Sequence, residues 1–218
     1  MKRSKLFVLI IGLPVTLFIV TAGCIQVTKA SRFVDYQPQE GDVVMQSLPK
    51  MDLVRAIEGV TNSPYSHCGI VTQLEGQWVV LEAIGPVRYT PLYSYLDRGR
   101  ADAYAVYRLR EPHRKHIPGM IEEAAKMLNR PYDFRYRLDD ENIYCSELIY
   151  KGFKATSSED LGKLEALGTL NWEPYEKTIR KYDGGGLPLD RMMITPVGLT
   201  RSPKLELVLS KGYQPSTN

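Results

Sequence analysis

Cysteine, histidine and net charge are all scarce in this chain, and each scarcity excludes something. Three cysteines occur in 218 residues, Cys24, Cys68 and Cys145, which do not make a disulfide framework. Their spacing fits no zinc site either, because no paired cysteines or histidines accompany them. Two of the three histidines, His113 and His116, stand in the basic connection Arg110-Glu111-Pro112-His113-Arg114-Lys115-His116, where no apolar strand fixes a ring. The formal net charge is only +3, from 28 basic and 25 acidic residues. Lys2, Arg3 and Lys5 account for the whole excess, so the rest of the chain is balanced and shows no electrostatic footprint of nucleic-acid binding. No internal repeat occurs, and no shift in composition marks a second domain.

What is present begins with globular composition, 44% hydrophobic and 24% charged residues. That is enough chain for one domain with a real core. The basic start is followed by Leu6 to Gly23, which carries no charge, and then by Cys24. Small residues at Ala22 and Gly23 ahead of a cysteine resemble a bacterial lipobox, in which Cys24 is lipidated and becomes the first residue of the mature chain. An uncleaved membrane anchor is the other reading of the same stretch. Either one expects the domain to lie at a membrane surface of the cell envelope, facing the periplasm or exterior. The expected organisation is a leader over 1–23, a polar tether over 24–40 and a catalytic domain over 41–218.

Along that domain, Val43-Val44-Met45 reads as a strand, and Met51 to Val60 as a helix ended by Thr61-Asn62-Ser63-Pro64. A hairpin follows, with strands over Ser66–Leu74 and Gln77–Ile84 about a Glu75-Gly76 turn. Val87–Pro91 reads as extended, Leu92–Leu96 as a helical turn, Ala103–Leu109 as a strand and Ile117–Leu128 as an amphipathic helix. Helices are also expected over Glu159–Leu167 and Pro174–Lys181, then a turn at Pro196 and a strand over Leu205–Leu209. Strands first and helices later make the class α+β.

The stretch Asn142-Ile143-Tyr144-Cys145-Ser146-Glu147-Leu148 carries the chemistry. Cys145 opens a helix, with Asn142 or Asp140 as candidate caps. Unpaired N–H groups and the helix dipole there favour a thiolate. A small buried hydrophobe is the alternative for any free cysteine. A two-residue hairpin loop makes Leu74 face Gln77, so Glu82 faces Gly69 and His67 is its diagonal neighbour on the same face. The carboxylate then holds the imidazole through Nδ1–H and leaves Nε2 for a nucleophile. Cys68, next in sequence to His67, points to the opposite face and reads as core.

These segments resemble the YiiX-like family of circularly permuted, papain-like, NlpC-type hydrolases, to which lecithin–retinol acyltransferases are distantly similar. The resemblance rests on Gly41-Asp42-Val43-Val44, Pro64 to Val71, Glu82 to Leu92, Arg130-Pro131-Tyr132-Asp133-Phe134 and Tyr144-Cys145-Ser146-Glu147-Leu148. It extends to the order of the site, with His67 and Glu82 before Cys145. It implies a permuted papain-like fold with Cys145 as nucleophile, His67 as base and Glu82 as orienter, acting by acyl transfer. Tyr144 and Tyr65 are candidate oxyanion or substrate groups, while Tyr132 and Asp133 shape the loop before the helix. No cofactor or metal is implied. The substrate expected is a peptide, an N-acyl or another amide, with a lipid-directed acyl hydrolase or acyltransferase, or a non-catalytic envelope lipoprotein, as competing readings.

Overall fold

A computed structural model describes residues 36–213. The leader, Cys24 and most of the tether lie outside the described residues. The elements in chain order are β1 (Val43–Gln46), α1 (Asp52–Thr61), β2 (His67–Leu74), β3 (Gln77–Ala83), β4 (Val87–Pro91), α2 (Leu92–Arg98) and β5 (Tyr104–Leu109). There follow α3 (Ile117–Ala125), α4 (Cys145–Ser157), β6 (Glu165–Ala166), α5 (Glu176–Tyr182), β7 (Met192–Met193), α6 (Pro196–Thr200) and β8 (Leu205–Lys211). Among the described residues no helix is long and apolar enough to cross a membrane.

Six strands form one antiparallel sheet in the order β4-β3-β2-β1-β5-β8, and β6 pairs with β7 in a small second sheet. Helices cover both faces of the large sheet. On one, α3 and α4 lay Met120, Ala124, Leu148, Ile149 and Phe153 against Val43, Met45, Cys68, Ile70, Leu81 and Ala83. On the other, α2 contacts β3 and β4 and buries Leu92, Tyr95 and Leu96. A strand covered on both sides needs no polar face, which is why Val79-Val80-Leu81 reads as a continuous apolar run. Each fully buried side chain of this kind, Leu148 or Phe153 for instance, stabilises the fold by roughly 1.5–3 kcal/mol.

The hairpin has the expected register. Glu75 and Gly76 take the left-handed conformation, with φ of 52° and 76°, and pair Leu74 with Gln77. Positive φ at both central residues matches the right-handed twist of the flanking strands. One expectation fails in the second half of the chain. Glu159–Leu167 forms no helix; it holds a turn, then β6 and the start of a 3-10 turn at Leu167. Gly162 has φ 91°, and a Cβ there would meet the Gly198 carbonyl oxygen at 2.5 Å. Packing against α6 therefore holds this segment in a conformation that a helix cannot contain. The α3 helix also ends early, at Ala125 instead of Leu128.

Candidate active site

His67 is the first residue of β2, placed by the pairing of β2 with β1, where it sits opposite Gln46. Its ring is buried 5.6 Å from that of Tyr95, whose hydroxyl donates to the Val44 carbonyl at 2.8 Å. Glu82 approaches from β3. Gly69 leaves the room between them, since a Cβ there would crowd both Val80 and the Cβ of Glu82.

The Glu82 carboxylate is fully buried and takes three hydrogen bonds. His67 Nε2–H and Arg98 Nη2–H donate to Oε2 at 2.5 Å each, and Thr90 Oγ1 donates to Oε1 at 2.6 Å. Burial alone would raise this acid. The hydrogen bond and charge of His67, followed by those of Arg98, outweigh it and hold the carboxyl down at about 2. Burial likewise opposes a charged His67 ring, yet the hydrogen bonds to Cys145 and Glu82 raise it to about 9.

Cys145 is the first residue of α4, as the sequence suggests, and is 1% exposed. Its cap differs from the expectation. Tyr144 is the N-cap residue, and its backbone N–H donates to Glu147 Oε2 at 3.2 Å. Neither Asn142 nor Asp140 caps the helix; Asp140 instead pairs with Lys151 at 2.9 Å. The Cys145 thiol is held well below its ordinary value. The Cys68 thiol contributes most through a hydrogen bond; burial opposes, and the hydrogen bond and charge of His67 add to the lowering.

One reading of the sequence needs correction here. The imidazole is turned the other way round: Nε2 meets the carboxylate, which leaves Nδ1 for the sulfur. Glu82 reaches Nε2 from β3, while the helix that carries Cys145 packs against β2. Cys68 does lie in the core, but that is the layer from which α4 brings the nucleophile-type thiol. Burial and then the hydrogen bond to Cys145 raise the Cys68 thiol, so it stays protonated as a donor.

The two tyrosines proposed from the sequence are engaged elsewhere. Tyr65 lies edge-on to Tyr107 and Tyr213, with its hydroxyl 3.5 Å from that of Tyr107. The Tyr144 hydroxyl accepts the Ile194 N–H at 3.1 Å, and its ring packs 4.8 Å from Tyr136. Asp133 shapes the preceding loop as expected, accepting the backbone N–H groups of Arg135 and Arg137. Arg98, Thr90 and Tyr136 were not legible beforehand: Arg98 ends a short helix, Thr90 alternates along an edge strand, and Tyr136 sits in an irregular loop.

The family described as permuted papain-like amidase enzyme, YaeF/YiiX, C92 family matches residues 37–209. The chain belongs to this family. It is 28% identical over 180 residues to the uncharacterized protein YiiX of Escherichia coli strain K12, covering 79% of this chain and 87% of that protein. The crystal structure of the metalloprotein YiiX from Escherichia coli O157:H7 superposes with a TM-score of 0.75 at 28% identity, covering 81% of this chain and 99% of that one. The fold is therefore permuted papain-like, and the family activity is that of a papain-like cysteine hydrolase of amide bonds. The residues at this site do not fit a metal. Among the described residues no group of three or more His, Cys, Asp or Glu is arranged to hold one, and the ring nitrogen Nε2 and both Glu82 oxygens are already hydrogen-bonded.

Proposed function

We propose that Cys145, His67 and Glu82 form a catalytic triad that cleaves amide bonds through a thioester. The observation that carries the reading is one buried chain of contacts, from the sulfur at the α4 tip through the imidazole to the carboxylate of Glu82. In the resting site the proton resides on His67 and the sulfur is a thiolate. The thiolate attacks the amide carbon, and the carbonyl oxygen gains the electron pair. The Cys145 backbone N–H, unpaired at the helix start, stabilises that oxyanion. His67 Nδ1–H then protonates the amine, which leaves with the electrons of the broken C–N bond. Water, deprotonated by His67, attacks the thioester and releases a carboxylic acid and the thiolate. Glu82 keeps Nε2 as a donor throughout and stabilises the imidazolium.

Acid-quenched turnover followed by peptide mass measurement tests this. The expected result is an added acyl mass on Cys145 alone, discharged by hydroxylamine. Undiminished hydrolysis by Cys145→Ala contradicts it. We also propose that the lipobox-like stretch ending at Cys24 tethers the catalytic unit to a membrane of the cell envelope. Labelled palmitate incorporated by the wild type and not by Cys24→Ser supports that part, and equal incorporation overturns it.

A further inference from the structure

Three cysteines are spread over 218 residues, yet two of them meet. Cys68 lies in β2 and Cys145 opens α4, and these two elements pack on each other. Both cysteines are free, and both belong to one buried cluster, at 0% and 1% exposure. Met45, the partner of Cys68 on β1, and Leu148 and Ile149 of α4 offer the Cys68 S–H no acceptor. The Cys145 sulfur does, and it takes a hydrogen bond from Cys68. From hydrogen-bond contact, two sulfurs have only a short approach left to the S–S bond length of about 2.05 Å.

The two groups are chemically unequal. The sulfur at the helix tip is a thiolate beside a protonated imidazole, and the one on the strand is a protonated thiol. A thiolate is the form that a peroxide oxidises, and a neighbouring thiol is what resolves the product. The hydrolytic steps give Cys68 no part of its own. Valine would fill its place in the apolar layer and serine would supply a donor, but only cysteine puts a second sulfur within reach.

We propose that Cys68 and Cys145 form a redox modification site, in which a peroxide converts the pair reversibly into a disulfide and so switches amide hydrolysis off. The inference rests on the Cys145 thiolate of the triad reading and adds its regulation. The thiolate attacks one peroxide oxygen, the O–O bond breaks, and the departing hydroxide takes the proton of His67 and leaves as water. The Cys145 sulfur is oxidised by two electrons to a sulfenic acid, and the peroxide is reduced. The Cys68 sulfur then attacks the Cys145 sulfur. The S–S bond forms, the S–O bond breaks, and the hydroxyl leaves as a second water with the proton of Cys68. An external dithiol returns both thiols in two exchange steps and is itself oxidised to its disulfide. Closing the pair also keeps Cys145 from the sulfinic acid, which a dithiol does not reduce.

The test is hydrogen peroxide treatment of the full chain, then alkylation of the remaining thiols, digestion without reductant and peptide mass measurement. The peptides of Cys68 and Cys145 should appear joined, lighter by two hydrogens than their sum, in step with an at least about tenfold loss of hydrolysis. Dithiothreitol should return the activity to within about twofold of its starting value. In Cys68→Val and Cys68→Ser the joined peptide should be absent, two or three oxygens should accumulate on Cys145, and dithiothreitol should restore nothing. Two variants of different polarity guard against a folding defect in one, and the wild-type masses decide the matter if both fail to fold. Wild-type Cys68 alkylated in full while Cys145 carries the oxygens overturns the pairing, as does Cys145 joined to Cys24 instead. Acyl mass on Cys145 without any joined peptide overturns the pairing alone. Joined peptides with no acyl mass ever found on Cys145 support the pairing and overturn the triad reading.

Discussion

Glu82 and Glu147 are both completely buried, and their surroundings drive them in opposite directions. Glu82, at the end of the sheet, is held at about 2; Glu147, in the first turn of α4, is pushed up to about 7. Burial raises both. Around Glu82 an imidazole, a guanidinium and a hydroxyl all donate, and they overcome it. Around Glu147 burial wins against Lys151, 2.8 Å from Oε1, and against the Tyr144 N–H. Burial therefore does not settle the charge of a carboxylate; the number and kind of donors do. The first region is built to keep a negative charge beside an imidazole. The second closes the helix end that presents the thiol.

Substitutions can break this contrast, and the largest effects belong to the first region and its sulfur. Cys145→Ala should reduce amide hydrolysis by at least about 10⁴-fold, measured as kcat/KM on any turned-over acyl amide. Glu82→Gln keeps the shape and removes the charge, and should cost about 10³-fold, with the melting temperature followed alongside to separate chemistry from folding. Arg98→Met removes one donor of three. It should lower kcat/KM about tenfold and move its acid limb to higher pH, because Glu82 then protonates more readily. Rescue by Arg98→Lys would show that positive charge, not packing, is what Arg98 supplies.

Glu147→Gln is the smallest case for turnover, and it should make the fold more stable near neutral pH, where the folded protein begins to ionise Glu147 against its burial. Its pH dependence is the sharper readout. For Glu82 the folded value lies below the ordinary 4.5, so its contribution is present above about 4.5 and is lost as pH falls toward about 2. For Glu147 the folded value lies above 4.5, so the folded protein holds the proton longer and stability declines as pH rises from about 4.5 to about 7. Denaturant unfolding across pH should show the first slope vanish in Glu82→Gln and the second in Glu147→Gln.

The parts of the site governed by period and register were legible in the sequence. Alternation in Trp78-Val79-Val80-Leu81-Glu82 and the two-residue turn at Glu75-Gly76 were enough to bring Glu82 beside His67. The spacing of Ile149 and Phe153 behind Cys145 was enough to start a helix there. Contacts between elements not yet placed were not legible. Arg98 and Thr90 reach Glu82 from α2 and β4, and no local pattern joins them. The imidazole orientation was missed because no local pattern fixes which ring nitrogen meets the carboxylate of a neighbouring strand. Cys68 was assigned correctly to the core, but nothing local to β2 reveals that the core layer also carries Cys145. The failed helix at Glu159–Leu167 turns on Gly162 meeting Gly198, a contact between residues far apart in sequence.

The most direct measurement of the central claim is the rate of iodoacetamide alkylation at Cys145, read by peptide mass across pH, in the wild type and in His67→Ala. A thiolate paired with His67 predicts fast alkylation persisting far below the ordinary cysteine value of about 8.5, and an upward shift of that profile by at least about one pH unit when the imidazole is removed. A wild-type profile centred on the ordinary value, or one that His67→Ala leaves in place, would contradict the account.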